Sequence, residues 1–95
     1  MKYKNPYMKK VRNSFNMIVS CGFCSRDLVR YQKKGRGGLL NMYVDRIIEA
    51  EQDLYQEKAL KCMNCDELLG VRVLSKKRNT PAFKMLRSKS HTREE

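Results

Sequence analysis

Four cysteines are the residues best placed to do chemistry. All four fall in two C-x-x-C pairs, Cys21-Gly22-Phe23-Cys24 and Cys62-Met63-Asn64-Cys65, with thirty-seven residues between the pairs. Two residues between thiolates let a tight turn aim both sulfurs at one ion, at about 2.3 Å each for zinc, while turn amides hydrogen-bond to them. Two such turns complete a tetrahedron. A four-thiolate set leaves no open coordination position, so the expected ion is structural, one Zn2+ held by Cys21, Cys24, Cys62 and Cys65. The rival readings are a thiol-redox pair, two disulfides or four free thiols. Redox chemistry needs only one pair and usually a βαβ setting, which this sequence lacks. The sole histidine, His91, sits among Ser88, Lys89, Ser90 and Thr92 and is expected in solvent.

Cationic side chains form the second constellation. Arg30, Lys33, Lys34 and Arg36 surround a glycine-rich turn (Gly35, Gly37, Gly38), and Lys76, Lys77 and Arg78 form another basic turn. Glycine lets a backbone approach phosphates, and Lys and Arg neutralise them. These seven residues are therefore the candidate nucleic-acid contacts. Tyr31, Tyr43 and Phe83 could stack on bases, but aromatic residues at such spacing are expected in a core. Residues 45–68 reverse the sign of the charge and offer an acidic face for a protein partner. Glu49 and Asp53 stand one helical turn apart with no nucleophile or base beside them. No G-x-x-x-x-G-K-[ST], H-E-x-x-H or nucleophile elbow occurs, so an enzyme is not expected.

These groups need elements to hold them. Residues 15–20 and 28–32 have the β-branched and aromatic content of short strands flanking the first cysteine pair. Leu39 to Ile48 fits either a helix, by apolar spacing, or a strand, by residue type; a hairpin with 28–32 is the preferred reading. Residues 49–60 (EAEQDLYQEKAL) are good helix formers and predict one short amphipathic helix. Leu68–Leu74 predicts a strand, and residues 82–86 a second one pairing with 71–74. Residues 1–12 carry five bases and Pro6, and predict a flexible basic arm. Residues 13–87 make the domain, and 88–95 are expected to be a disordered tail.

Size and charge limit what such a chain can be. Ninety-five residues with 41% hydrophobic content make one small domain, and a core of that size commonly needs a metal or disulfide staple. Lys and Arg number 21 against 10 Asp and Glu, a net charge of +11 that suits a polyanionic partner. No apolar run is long enough for a transmembrane helix, so no membrane role is expected. No apolar signal segment follows the basic N-terminus, and a cytoplasmic, reducing setting favours metal over disulfides.

The paired C-x-x-C turns resemble the zinc-ribbon group, in which two cysteine knuckles on neighbouring hairpins clamp one zinc beside a small antiparallel sheet. The resemblance spans roughly residues 15–86 and rests on Cys21, Cys24, Cys62 and Cys65. Knuckles of that group often carry Pro after the first Cys and Gly after the second; here Gly22, Ser25, Met63 and Asp66 hold those positions. The resemblance implies a mostly β, small α+β fold of zinc-clamped antiparallel hairpins, with one short helix and flexible basic tails. The expected function is nucleic-acid binding, DNA or RNA, through phosphate contacts, as an accessory or regulatory factor or a ribonucleoprotein component. The alternative is a protein-interaction adaptor with a structural zinc.

Overall fold

The computed structural model describes all 95 residues and is built almost wholly of antiparallel strands. In chain order they are β1 (Tyr3–Lys4), β2 (Ser14–Cys21), β3 (Asp27–Lys34), β4 (Asn41–Tyr43), β5 (Ile47–Ala50), β6 (Ala59–Lys61), β7 (Leu68–Ser75), β8 (Thr80–Met85) and β9 (Ser90–Glu94). One 3-10 turn, Val44–Arg46, joins β4 to β5. Five strands form one sheet in the order β1-β5-β3-β2-β9, and four form a second in the order β4-β8-β7-β6. Two sheets, each with an apolar face, bury those faces against one another. Val19, Val29, Tyr31, Met42, Val44, Leu60, Leu69 and Phe83 fill the space between them. The buried Tyr31 hydroxyl accepts the Tyr43 amide N–H at 2.9 Å. Burial raises its pKa, so the phenol stays neutral.

The strands expected around the first cysteine pair and after the second are present: β2 pairs with β3, and β7 with β8. Three expectations are corrected. Residues 49–60 are not a helix; β5 ends at Ala50, turns follow, and β6 begins at Ala59. Long-range bonds take the backbone groups a helix would use. The Arg72 guanidinium donates to the carbonyls of Leu54, Tyr55 and Glu57, and Asp53 closes a local turn onto the Tyr55 amide. Leu54 then drops into the core. Secondly, Leu39–Ile48 divides between the sheets: β4 pairs with β8, while only β5 pairs with β3.

Thirdly, both ends of the chain are paired rather than free. β1 pairs with β5, and the Asn5 amide donates to the carbonyls of Val44 and Ile47, both at 2.9 Å. Residues 88–95, expected as a disordered tail, supply β9, which pairs with β2 along its length. Two contacts explain the pairing. Arg93 forks onto the Asp27 carboxylate at 2.8 and 2.7 Å, and Gly22 donates its N–H to the Lys89 carbonyl at 2.9 Å. A Cβ at Gly22 would stand 2.7 Å from that carbonyl oxygen, so only glycine lets the two backbones meet.

Gly22→Ala should therefore detach the 89–94 segment, seen as faster amide exchange in β9 with β3 still protected. Arg93 lowers the Asp27 carboxyl from 3.8 to about 2. A depressed carboxyl stabilises the fold above its unfolded pKa and ceases to do so as pH falls through the folded one, here between about pH 4 and pH 2. Arg93→Gln should return the Asp27 side-chain titration, followed by NMR, towards 3.8.

Candidate metal centre and basic surface

Each cysteine pair sits on the turn of a hairpin, and the two turns are built alike. In the first, between β2 and β3, the Phe23 N–H donates to Cys21 Sγ at 3.4 Å, the Ser25 N–H to the Cys21 carbonyl at 3.0 Å, and the Cys21 N–H to the Arg26 carbonyl at 2.9 Å. In the second, between β6 and β7, the Asn64 N–H donates to Cys62 Sγ at 3.4 Å, the Asp66 N–H to the Cys62 carbonyl at 2.8 Å, and the Cys62 N–H to the Glu67 carbonyl at 2.9 Å. The register slips just before each pair, between Val19 and Ser20 and between Leu60 and Lys61. Such a bulge bends a strand and re-aims its end. Here both ends turn towards the same point.

The result is one cluster. Cys21 Sγ lies 3.5 Å from Cys65 Sγ, and Cys24 Sγ 3.5 Å from Cys62 Sγ. All four sulfurs lie within 4.8 Å of one another and could hold a metal ion. Cys21 and Cys62 are buried, while Cys65 faces solvent. A tetrahedral zinc with bonds of about 2.3 Å requires sulfur separations of about 3.8 Å, which this cluster brackets. The thiols do not ionise alike. Hydrogen bonds from the Asn64 side chain and the Arg26 backbone, with those from neighbouring sulfurs, bring Cys24 down to about 6. At Cys65 the Glu67 backbone amide favours the thiolate, but desolvation and the bonds to Cys21, Cys62 and Cys24 outweigh it and push the thiol up to about 12. Four negative sulfurs at this range repel, and a cation among them removes that repulsion.

The seven candidate cations separate into two groups. Arg30 pairs with Glu49 and with Glu95, the latter at 2.7 Å. Lys33 is buried, and its ammonium donates to the carbonyls of Lys34 and Gly35 at 3.2 Å, closing the glycine-rich turn. Arg78 holds the buried Asp45 carboxylate at 3.3 Å and stacks 4.5 Å above the Tyr43 ring. Those three serve the fold. Lys34, Arg36, Lys76 and Lys77 are exposed and make no ion pair.

Two further bases join them that the turn motifs did not mark. Lys10 and Arg12 line an open groove with Asn13, Ser14, Asn16 and Gln32. Gln32 sews this arm to β3, accepting the Val11 N–H at 3.0 Å and donating to the Lys9 carbonyl at 2.9 Å. Asp45 adds the second basic turn to the same region: its carbonyl accepts the Lys9 N–H at 2.8 Å while its carboxylate holds Arg78. The only sequence signal for Lys10 and Arg12 was the acid-free charge of the arm. Tyr31 and Phe83 are buried, and Tyr43 lies beneath Arg46 and Arg78, so none of the three is free to stack on a base. Of the acidic face, Asp45, Glu49 and Glu51 are taken by Arg78, Arg30 and Arg26.

Ser25 and Asp66 follow the second cysteine of each pair and have φ of 65° and 62°, the left-handed region where glycine is least strained. Ser25→Gly and Asp66→Gly should each raise stability by about 0.5–1 kcal/mol, read from denaturant midpoints. Ser25→Ala should lower it.

Comparison with protein-family models, curated proteins and solved structures returns no match to this chain, so the sulfur cluster and the placement of the unpaired bases carry the functional reading.

Proposed function

We propose that this is a small zinc-stapled nucleic-acid-binding protein, with the ion at one end and the phosphate-binding surface at the other. The observation that carries the reading is a group of exposed cations without ion pairs on the arm and the turns remote from the sulfurs; Lys58 and Lys61, near Cys62, are also unpaired but are set apart from that group. β3 leads from the first cysteine turn to Lys34, and β7 from the second to Lys76. The Asp45, Gln32 and Lys9 bonds draw Lys10, Arg12, Lys34, Arg36, Lys76 and Lys77 around that far region. Glu94 and Glu95 border it, and Glu95 is turned to Arg30. Cations without carboxylate partners attract a polyanion over a Debye length and release counterions on binding.

Zinc is the ion that four thiolates with S–S distances of 3.5–4.8 Å best suit. The closed ligand set supports a structural role rather than catalysis. A reducing, cytoplasmic location would keep the thiols available. No helix is long and apolar enough to cross a membrane. An adaptor reading draws on the exposed Phe23 and Met63 at the tips of the two cysteine turns, 55% and 64% accessible.

One zinc per chain is expected by elemental analysis, and chelation, Cys21→Ser or Cys62→Ser should abolish the thermal transition. A metal-free chain that melts normally would refute the staple. For the surface, Lys34→Glu with Arg36→Glu should weaken binding to any nucleic acid and flatten the slope of log affinity against log salt by roughly one to two units. Arg78→Gln should behave differently. It strands Asp45 and costs about 1–3 kcal/mol of stability, with little change in the salt slope. Wild-type protein that binds no nucleic acid at low salt would leave the adaptor reading in place.

A further inference from the structure

The two hairpins differ in one respect. Cys21 and Cys24 correspond to Cys62 and Cys65, and β3 (Asp27–Lys34) corresponds residue for residue to β7 (Leu68–Ser75). In the first hairpin β2 covers the whole of β3, from Ser14 opposite Lys34 to Ser20 opposite Asp27. In the second, β6 is three residues long and reaches only Val71, with one further bond from the Arg72 N–H to the Lys58 carbonyl at 3.0 Å. The rest of β7 has no neighbour on that side. Arg72 sends its N–H to the β6 side, and in an antiparallel ladder every second residue does the same. Leu74 therefore presents its N–H and C=O to the open edge. Its register partner on β8, Pro81, faces it as a non-hydrogen-bonded pair, so β8 does not use those groups.

We infer that the β7 edge at Val73–Ser75 accepts an extended acidic peptide segment as an added antiparallel strand. Three observations point to that occupant. The corresponding edge in the first hairpin is filled by an extended segment, Ser14–Met17, so the backbone geometry for strand addition is already realised once in this chain. Leu74 and Val73 are exposed, 63% and 36% accessible, and with Pro81, Lys58 and Arg72 they line a shallow groove that suits alternate apolar side chains. The charged groups flanking the edge are Lys58, Lys76 and Lys77 against one carboxylate, Glu57, since Arg72 is committed to loop carbonyls. That balance favours glutamate or aspartate at the partner's outward positions. It disfavours a second copy of this chain, which would set lysines against lysines.

The probe is a fluorescein-labelled heptapeptide of alternating Glu and Val, titrated into the zinc-loaded full chain and followed by anisotropy. Binding is expected, with Leu74 amide exchange slowing and shift changes confined to residues 72–76. The same peptide N-methylated on alternate residues of one edge should bind at least tenfold more weakly, as should a Lys-Val peptide. Leu74→Pro removes the outward-facing N–H and the Leu74 side chain together, and should abolish peptide binding while leaving nucleic-acid affinity unchanged. Leu74→Thr, which keeps the amide, should bind within about threefold. Should Leu74→Pro not fold, the N-methylated peptide carries the test alone. The inference is overturned if no binding occurs at millimolar peptide, if N-methylation or lysine substitution has no effect, or if protection appears at β4 or β9 instead. It is equally overturned if the wild type dimerises in a Leu74-dependent way, which would make a second copy the occupant.

Discussion

Everything in this molecule hangs from the convergence of two hairpin turns. Cys21 and Cys62 belong at once to the sulfur cluster and to the buried core, with Val19, Leu28, Leu60 and Leu69. A core of 15 buried residues is small, and neither sheet can bury its apolar face alone. The sulfurs meet where the two sheets approach at one end, and Tyr31, Met42 and Phe83 fill the core between the sheets. The matched bulges before Cys21 and Cys62 are what let two strands of different sheets end at one point.

Charge is distributed by the same frame. Near the sulfurs, three cations are tied to carboxylates or a ring, Arg26 to Glu51, Arg93 to Asp27 and Lys89 above Phe23 at 5.1 Å, while Lys61 beside Cys62 is exposed and unpaired. At the other end, Arg30, Lys33 and Arg78 close turns and ion pairs, which leaves their shorter-range neighbours unpaired. A high net charge thus resolves into bases that build the fold and bases that face outward. The first kind is spent on intramolecular bonds, so counting lysines and arginines overstates the surface available to a polyanion.

The sequence made the sulfur cluster legible because C-x-x-C spacing is a local property: two thiols one tight turn apart share a target whatever surrounds them. Strands β2, β3, β7 and β8 were legible for the same reason, as local runs of β-branched residues beside a turn. The helix over 49–60 failed because its propensity was overridden by a distant side chain, Arg72, reaching three carbonyls. The termini failed similarly. Their polar composition says disorder, yet Asn5, Gly22 and Arg93 supply specific long-range bonds. The basic turns were visible, but which of their cations were free was not, because Asp45 and the glycine-turn carbonyls that bind them lie elsewhere in the chain.

The pairing of β2 with β9 also bears on how fast the chain can fold. Arg93 meets Ser20 across 73 residues, and Cys24 meets Cys62 across 38. Folds dominated by such non-local contacts cross their barrier in milliseconds to seconds, since loop entropy is lost before contacts return it. An ion captured by thiolates of the unfolded chain would close the intervening loop early, and distant strands would then meet as near neighbours. Metal supply during synthesis would set the lifetime of the open state as well as its final population. A chain made in metal-starved cells would linger with unpaired strand edges, the condition in which β-rich proteins aggregate.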